Sequence, residues 1–178
     1  MTLPISYRWL TALGLLPRTI SEALKEYGTL EAPGDANNPQ IIGWARQVGG
    51  SVAETFKADS IPWCGLFVAL ICQRAGKALP ANPLWALNWK QFGVSVGQPQ
   101  LGDVLIFIRP GGGHVGFYVG EDQTAYHVLG GNQSDAVTIA RVAKSRLHAV
   151  RRPAMKAAPA SARPYIIAAS GELSTNEA

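Results

Sequence analysis

At 178 residues, 47% of them hydrophobic and 16% charged, the chain is large and apolar enough to bury the core of one globular domain and too apolar to be disordered. Its net charge of +4 suits anionic polymers such as wall glycans, or merely solubility, and no run of Lys and Arg interleaved with aromatics supports nucleic-acid binding. Two cysteines, Cys64 and Cys72, exclude a disulfide framework, and no apolar run approaches the roughly 20 residues needed to cross a bilayer.

Residues 9–16 are apolar, but the stretch is short, follows Arg8 and lacks a small-residue cleavage site, so no signal peptide is expected. Residues 1–17 read as an N-terminal extension. A first helix is expected from a cap at Thr19 or Ser21, with Ile20, Leu24 and Tyr27 on one face and Gly28 as its stop. After a polar loop, Ile41, Ile42, Trp44, Ala45 and Val48 predict a second helix, ended by Gly49-Gly50. The segment from there to Pro62 reads as irregular. Residues 64–75 form an almost wholly apolar helix, which should be buried on most sides. Residues 80–98 read as a connector rich in Pro, Asn and Trp.

Beyond Pro99 the pattern changes to short strands at 104–108, 114–120, 125–130, 136–142 and 147–151, with a hairpin turn at 120–123. Helices followed by an antiparallel meander predict an α+β fold, with the N-terminal helices packed on the sheet. The domain is expected to span 18–153. Residues 154–178 read as an Ala/Pro-rich tail in which Tyr165-Ile166-Ile167 could dock on the domain.

Two residues stand out chemically. Cys64 opens the apolar helix, where free N–H groups and a partial positive charge favour a thiolate and thus a depressed pKa. The plain alternative is a buried structural cysteine, which is how Cys72 reads at mid-helix. The two are eight residues apart on one helix, too far for a disulfide. His114 follows Gly111-Gly112-Gly113, whose missing side chains predict an open, backbone-lined groove beside the ring. A surface histidine on a flexible loop is the competing reading. A hairpin centred near Gln123 pairs residues whose numbers sum to about 246, which sets Asn132 opposite His114 on one sheet face, able to orient the ring.

Other side chains carry weaker signals. His127 is expected further along the sheet in a structural role, and His148 is assigned none. Trp63, Trp85 and Trp89 either line a groove or pack as core. Gln133 could donate to a substrate carbonyl. Asp35, Asn37 and Asn38 lack the ligand spacing of a calcium loop, so no metal is expected. Glu26 and Glu31 show nothing that separates a glycosidase pair from ordinary carboxylates.

Pro62-Trp63-Cys64-Gly65-Leu66-Phe67, Gly102-Asp103-Val104-Leu105-Ile106-Phe107, Gly113-His114-Val115-Gly116 and Gly131-Asn132 occur in this order. Together they resemble the CHAP and NlpC-type hydrolases, papain-like amidases and peptidases of bacterial peptidoglycan. The Gly-Gly-Asn-Gln-Ser-Asp run at 130–135 and Asn37-Asn38-Pro39 are similar to a small bacterial and phage-borne group within them. The resemblance covers roughly residues 18–153. It implies a papain-like fold, with Cys64 as nucleophile, His114 as base and Asn132 as the orienting residue. Many members carry Glu or Asp in that third role. Trp63, Trp85 and Gln133 are the candidate substrate-binding residues. The expected protein is a peptidoglycan hydrolase, such as a phage or prophage lysin. It would need no cofactor, bind no nucleic acid, insert in no membrane, work as a monomer, and be made in the cytoplasm, reaching the wall by phage-type release or delivery. Two alternatives remain: a papain-like amidase or protease with a non-wall substrate, such as a toxin effector, and a catalytically silent wall-binding module.

Overall fold

The computed structural model describes residues 2–168 and 171–176. Among them the chain forms helices α1 (Trp9–Ala12), α2 (Arg18–Lys25), α3 (Pro39–Val48), α4 (Gly50–Thr55) and α5 (Cys64–Arg74). The strands are β1 (Val94–Ser95), β2 (Val104–Arg109), β3 (Gly112–Glu121), β4 (Ala125–Gly130), β5 (Thr138–Ala143) and β6 (Leu147–Arg152). The fold is α+β, with six strands in one sheet of order β1-β6-β2-β3-β4-β5, every neighbouring pair antiparallel. Among the described residues, no helix is long and apolar enough to cross a membrane.

Local chemistry explains the helix ends. Asn38 caps α3 by accepting from the Gln40 N–H at 2.8 Å, and Pro39 sits at the first turn, where no N–H is needed. Gly49, at φ 77°, stops α3. Helix α4 then starts at once, correcting the irregular reading of this segment. Val52 is its only buried residue, so the sequence had no apolar period to reveal it. In the connector, a 3-10 helix over Ala86–Gln91 and the two-residue β1 are likewise additions to the sequence reading.

Helix α5 is the hub. Its residues 64–72 are all buried, and it packs between α2 and α3 on one side and β3 on the other. The two-residue period of the strands divides the sheet faces. Val104, Ile106, Val115, Phe117 and Val119 join the α5 core, while Leu105, Phe107, Tyr118, Val128 and Val142 form a second cluster on the opposite face.

Both ends of the chain add to this core. Leu3, Tyr7 and Leu10 are buried in the main cluster. Tyr165-Ile166-Ile167 docks as expected: Glu121 N–H donates to the Tyr165 carbonyl at 2.9 Å, and Ile167 N–H to the Glu121 carbonyl at 2.8 Å. Further on, Ser174 N–H donates to the Arg141 carbonyl and the Asn176 carbonyl accepts from Ser134 N–H, each at 2.8 Å.

Candidate active site

Cys64 is the first residue of α5, and no side chain caps the helix there. Its helical N–H groups are therefore not taken by a cap. The thiol lies within hydrogen-bonding reach of the Val115 backbone N–H, one residue from His114, and of the N–H groups of Gly65 and Cys64 itself. These backbone groups hold the sulfur at the start of α5.

Cys64 is 3% exposed, and burial pushes its thiol pKa up despite those N–H groups and the nearby Arg109 cation. This corrects the expected depressed pKa. Desolvation of a thiolate outweighs the helix terminus when the sulfur is sealed from water. At rest the group is a thiol. Cys72 is a second free, buried thiol, its pKa likewise pushed up by burial.

His114 is fully buried, and its ring stacks on Phe107, its cross-strand partner, with centroids 6.4 Å apart. Its Nε2 lies 3.1 Å from the Gln133 Oε1. The orientation of that amide is set by its other end, where Gln133 Nε2 donates to the carbonyls of Thr138 at 2.7 Å and Val128 at 3.2 Å. The oxygen must then face the ring, so His114 Nε2 is the donor in this bond.

The expected partner was Asn132, whereas this Nε2 contact is made by its neighbour Gln133. The 246 register does hold at Phe117↔Leu129 and Tyr118↔Val128, after an irregularity between Tyr118 and Gly120. However, β4 ends at Gly130, before Asn132 can pair. Asn132, Ser134 and Asp135 all take left-handed backbone, at φ 55°, 52° and 58°, so strand alternation no longer predicts where side chains point.

Two glycines let this loop approach. A Cβ on Gly131 would stand 2.6 Å from the Phe67 Cβ and 2.7 Å from the Trp63 ring. One on Gly130 would stand 3.3 Å from His114 Nε2. The loop thus touches both α5 and the imidazole.

The connector forms the other wall. The Leu84 carbonyl lies 2.4 Å from a Cβ built on Gly65, and the Leu87 side chain 2.6 Å from one built on Gly113. Leu87 thus packs against Gly113, correcting the open groove read from the three glycines. Trp85 is 73% exposed beside Leu84, at the rim of the α5 N-terminus. Trp63 is fully buried, its Nε1–H donating to Glu31 at 2.9 Å and its ring against Trp44, so it braces the core instead of meeting substrate. Gln133 is 1% exposed and its amide is committed at both ends, which removes it as a substrate donor. Trp89 is core, its Nε1–H donating to the Pro83 carbonyl at 2.9 Å.

The remaining candidates are structural. Asn37 accepts from the Asp59 N–H, and Asp59 accepts from the N–H groups of Ala32 and Asn38, so these residues lock two loops together. Glu26 accepts from Gln40 and pairs with Arg74. His127 is fully buried in a chain away from Cys64: Tyr7 Oη to Nδ1 at 2.7 Å, Nε2 to Asp122 at 3.0 Å, and Asp122 to Arg141 at 2.8 Å. Arg109, which the sequence did not mark, is the cation whose charge lowers the Cys64 thiol pKa. A lone Arg at a strand end offers no sequence pattern that would single it out.

No family model matches the chain, and no curated protein matches it.

Proposed function

We propose that this chain is a papain-like cysteine amide hydrolase that cleaves peptide amides of bacterial peptidoglycan, with Cys64 as nucleophile and His114 as base. The observation that supports it most is the meeting of the uncapped α5 start with β3. A thiol held at Val115 N–H sits one residue from an imidazole whose Nε2 is fixed by Gln133. The wall as substrate rests on the resemblance of the four motifs.

In this reading the bound amide displaces the resting contacts of the sulfur. His114 Nδ1 takes the Cys64 proton as the sulfur attacks the carbonyl. The raised thiol pKa makes this proton transfer part of the chemical step, in place of a standing thiolate. The N–H groups at the start of α5 stabilise the oxyanion. The imidazolium gives its proton to the departing amine, leaving a thioester. Water, deprotonated by the same nitrogen, releases the acid and restores the thiol. Gln133 holds the tautomer throughout.

The test is digestion of purified sacculi by wild type and Cys64→Ala, with mass spectrometry of the new ends. New amine and acid termini with wild type alone are expected. Cleavage of proteins but not sacculi would move the substrate elsewhere, and binding without new ends would make the chain a silent wall-binding module.

A further inference from the structure

We infer that Arg109 recognises a carboxylate on the substrate beside the amide to be cut. This rests on the hydrolase reading above and names a chemical feature of its substrate. Arg109 ends β2 and pairs with Gly112, while Phe107 pairs with His114. Residues two apart on a strand share a face, so Arg109 and His114 are diagonal neighbours on one face, on the order of 7–8 Å apart at the backbone.

The guanidinium is anchored without being used up. Its Nε donates to the Gly113 carbonyl at 3.3 Å, next to His114. Its terminal nitrogens make no hydrogen bond and its charge meets no carboxylate among the described residues, whereas Arg74, Arg141 and Arg152 each pair with an acid. The side chain is half-buried, so it is neither a fully hydrated surface cation nor a closed structural pair. Fixed at Nε and open at its two terminal nitrogens, a guanidinium presents the planar fork that fits a carboxylate. Its charge also lowers the Cys64 thiol pKa, against the larger effect of burial.

The ligand is an oligopeptide with a free carboxylate one residue from the scissile carbonyl, in contrast to the same peptide with that group amidated. Binding is measured by titration calorimetry with soluble wall peptides in both forms, using Cys64→Ala and Cys64→Ala/Arg109→Gln proteins, each checked for folding by circular dichroism. Cys64→Ala should bind the acid more tightly than the amide, on the order of tenfold, and Arg109→Gln should erase that preference. Arg109→Lys should keep part of it. Equal affinity for both forms, a preference that survives Arg109→Gln, or binding of neither form overturns the inference. Sacculus digestion separates this from failure of the hydrolase reading: new ends without an acid preference leave the hydrolase standing and remove only the role of Arg109.

Discussion

His114 Nε2 and Gln133 Oε1 lie 3.1 Å apart, and the far end of the same amide is held by the carbonyls of Thr138 and Val128. One glutamine thus ties the imidazole to β4 and β5. Replacing Gln133 with Ala should cost at least on the order of tenfold in kcat and broaden the pH profile of the reaction, because the ring loses its fixed tautomer. Glu at 133 should retain more rate than Ala by keeping an acceptor on Nε2. Asn132→Gly should stay within about threefold of wild type, since the left-handed backbone at 132 suits glycine. Steady-state kinetics of the three variants decide the point, and a larger loss from Asn132→Gly than from Gln133→Ala would return the orienting role to Asn132.

Glycine positions offer a stability test. Gly131→Ala drives a Cβ into the Phe67 Cβ and the Trp63 ring, both of which are fully buried. A loss of about 1–3 kcal/mol is expected. Gly112→Ala, where a Cβ meets nothing within 4 Å, should change stability by no more than about 0.5 kcal/mol. Urea unfolding of both variants provides the comparison. Equal effects would mean that the close approach of the loop to α5 is not maintained in solution.

Much of the fold was legible because it rests on period and punctuation. Ala125–Gly130 fell on its expected bounds, and α5 announced itself by nine consecutive buried residues. Elements with little burial, such as α4 and β1, left no pattern to read. In the candidate site, Cys64 and His114 stand on regular elements, so the sequence could assign the one to the start of α5 and the other to β3. The position of the Asn132 side chain was not legible, because three left-handed residues after Gly131 break the alternation that the register argument needed. Nor could sequence foresee the burial of Cys64, which depends on tertiary packing around the start of α5.

The Tyr7–His127–Asp122–Arg141 chain predicts an acid limb of stability. Desolvation lowers the His127 pKa below its ordinary 6.5, partly opposed by Asp122, so the folded ring stays neutral where the unfolded one takes a proton. Its contribution is therefore complete above pH 6.5 and falls away as the pH drops below that value toward the folded pKa. Asp122 is held well below the carboxylate range, chiefly by Arg141, and its own contribution is lost only at far lower pH. Thermal melts from pH 7.5 to 5 should show a decline that His127→Gln flattens, on a lower baseline. A decline of equal slope in the variant would assign it to other groups.

Thiol accessibility tests how the site is closed. Cys64 and Cys72 are both buried and both have raised pKa values, so alkylation at pH 7.5 should be slow for each and accelerate on unfolding. They differ in what covers them. Cys72 lies inside α5, whereas Cys64 lies near the loop whose Ser134 N–H is bonded to the Asn176 carbonyl. Removing residues 173–178 deletes that bond and the Ser174 contact with Arg141, freeing one side of the loop to open. Such a truncation should raise the alkylation rate of Cys64 several-fold and leave Cys72 unchanged, as read by peptide mass mapping over time. Equal acceleration of both would indicate general destabilisation, and no change at Cys64 would place the closing contacts in the connector at Leu84 and Leu87.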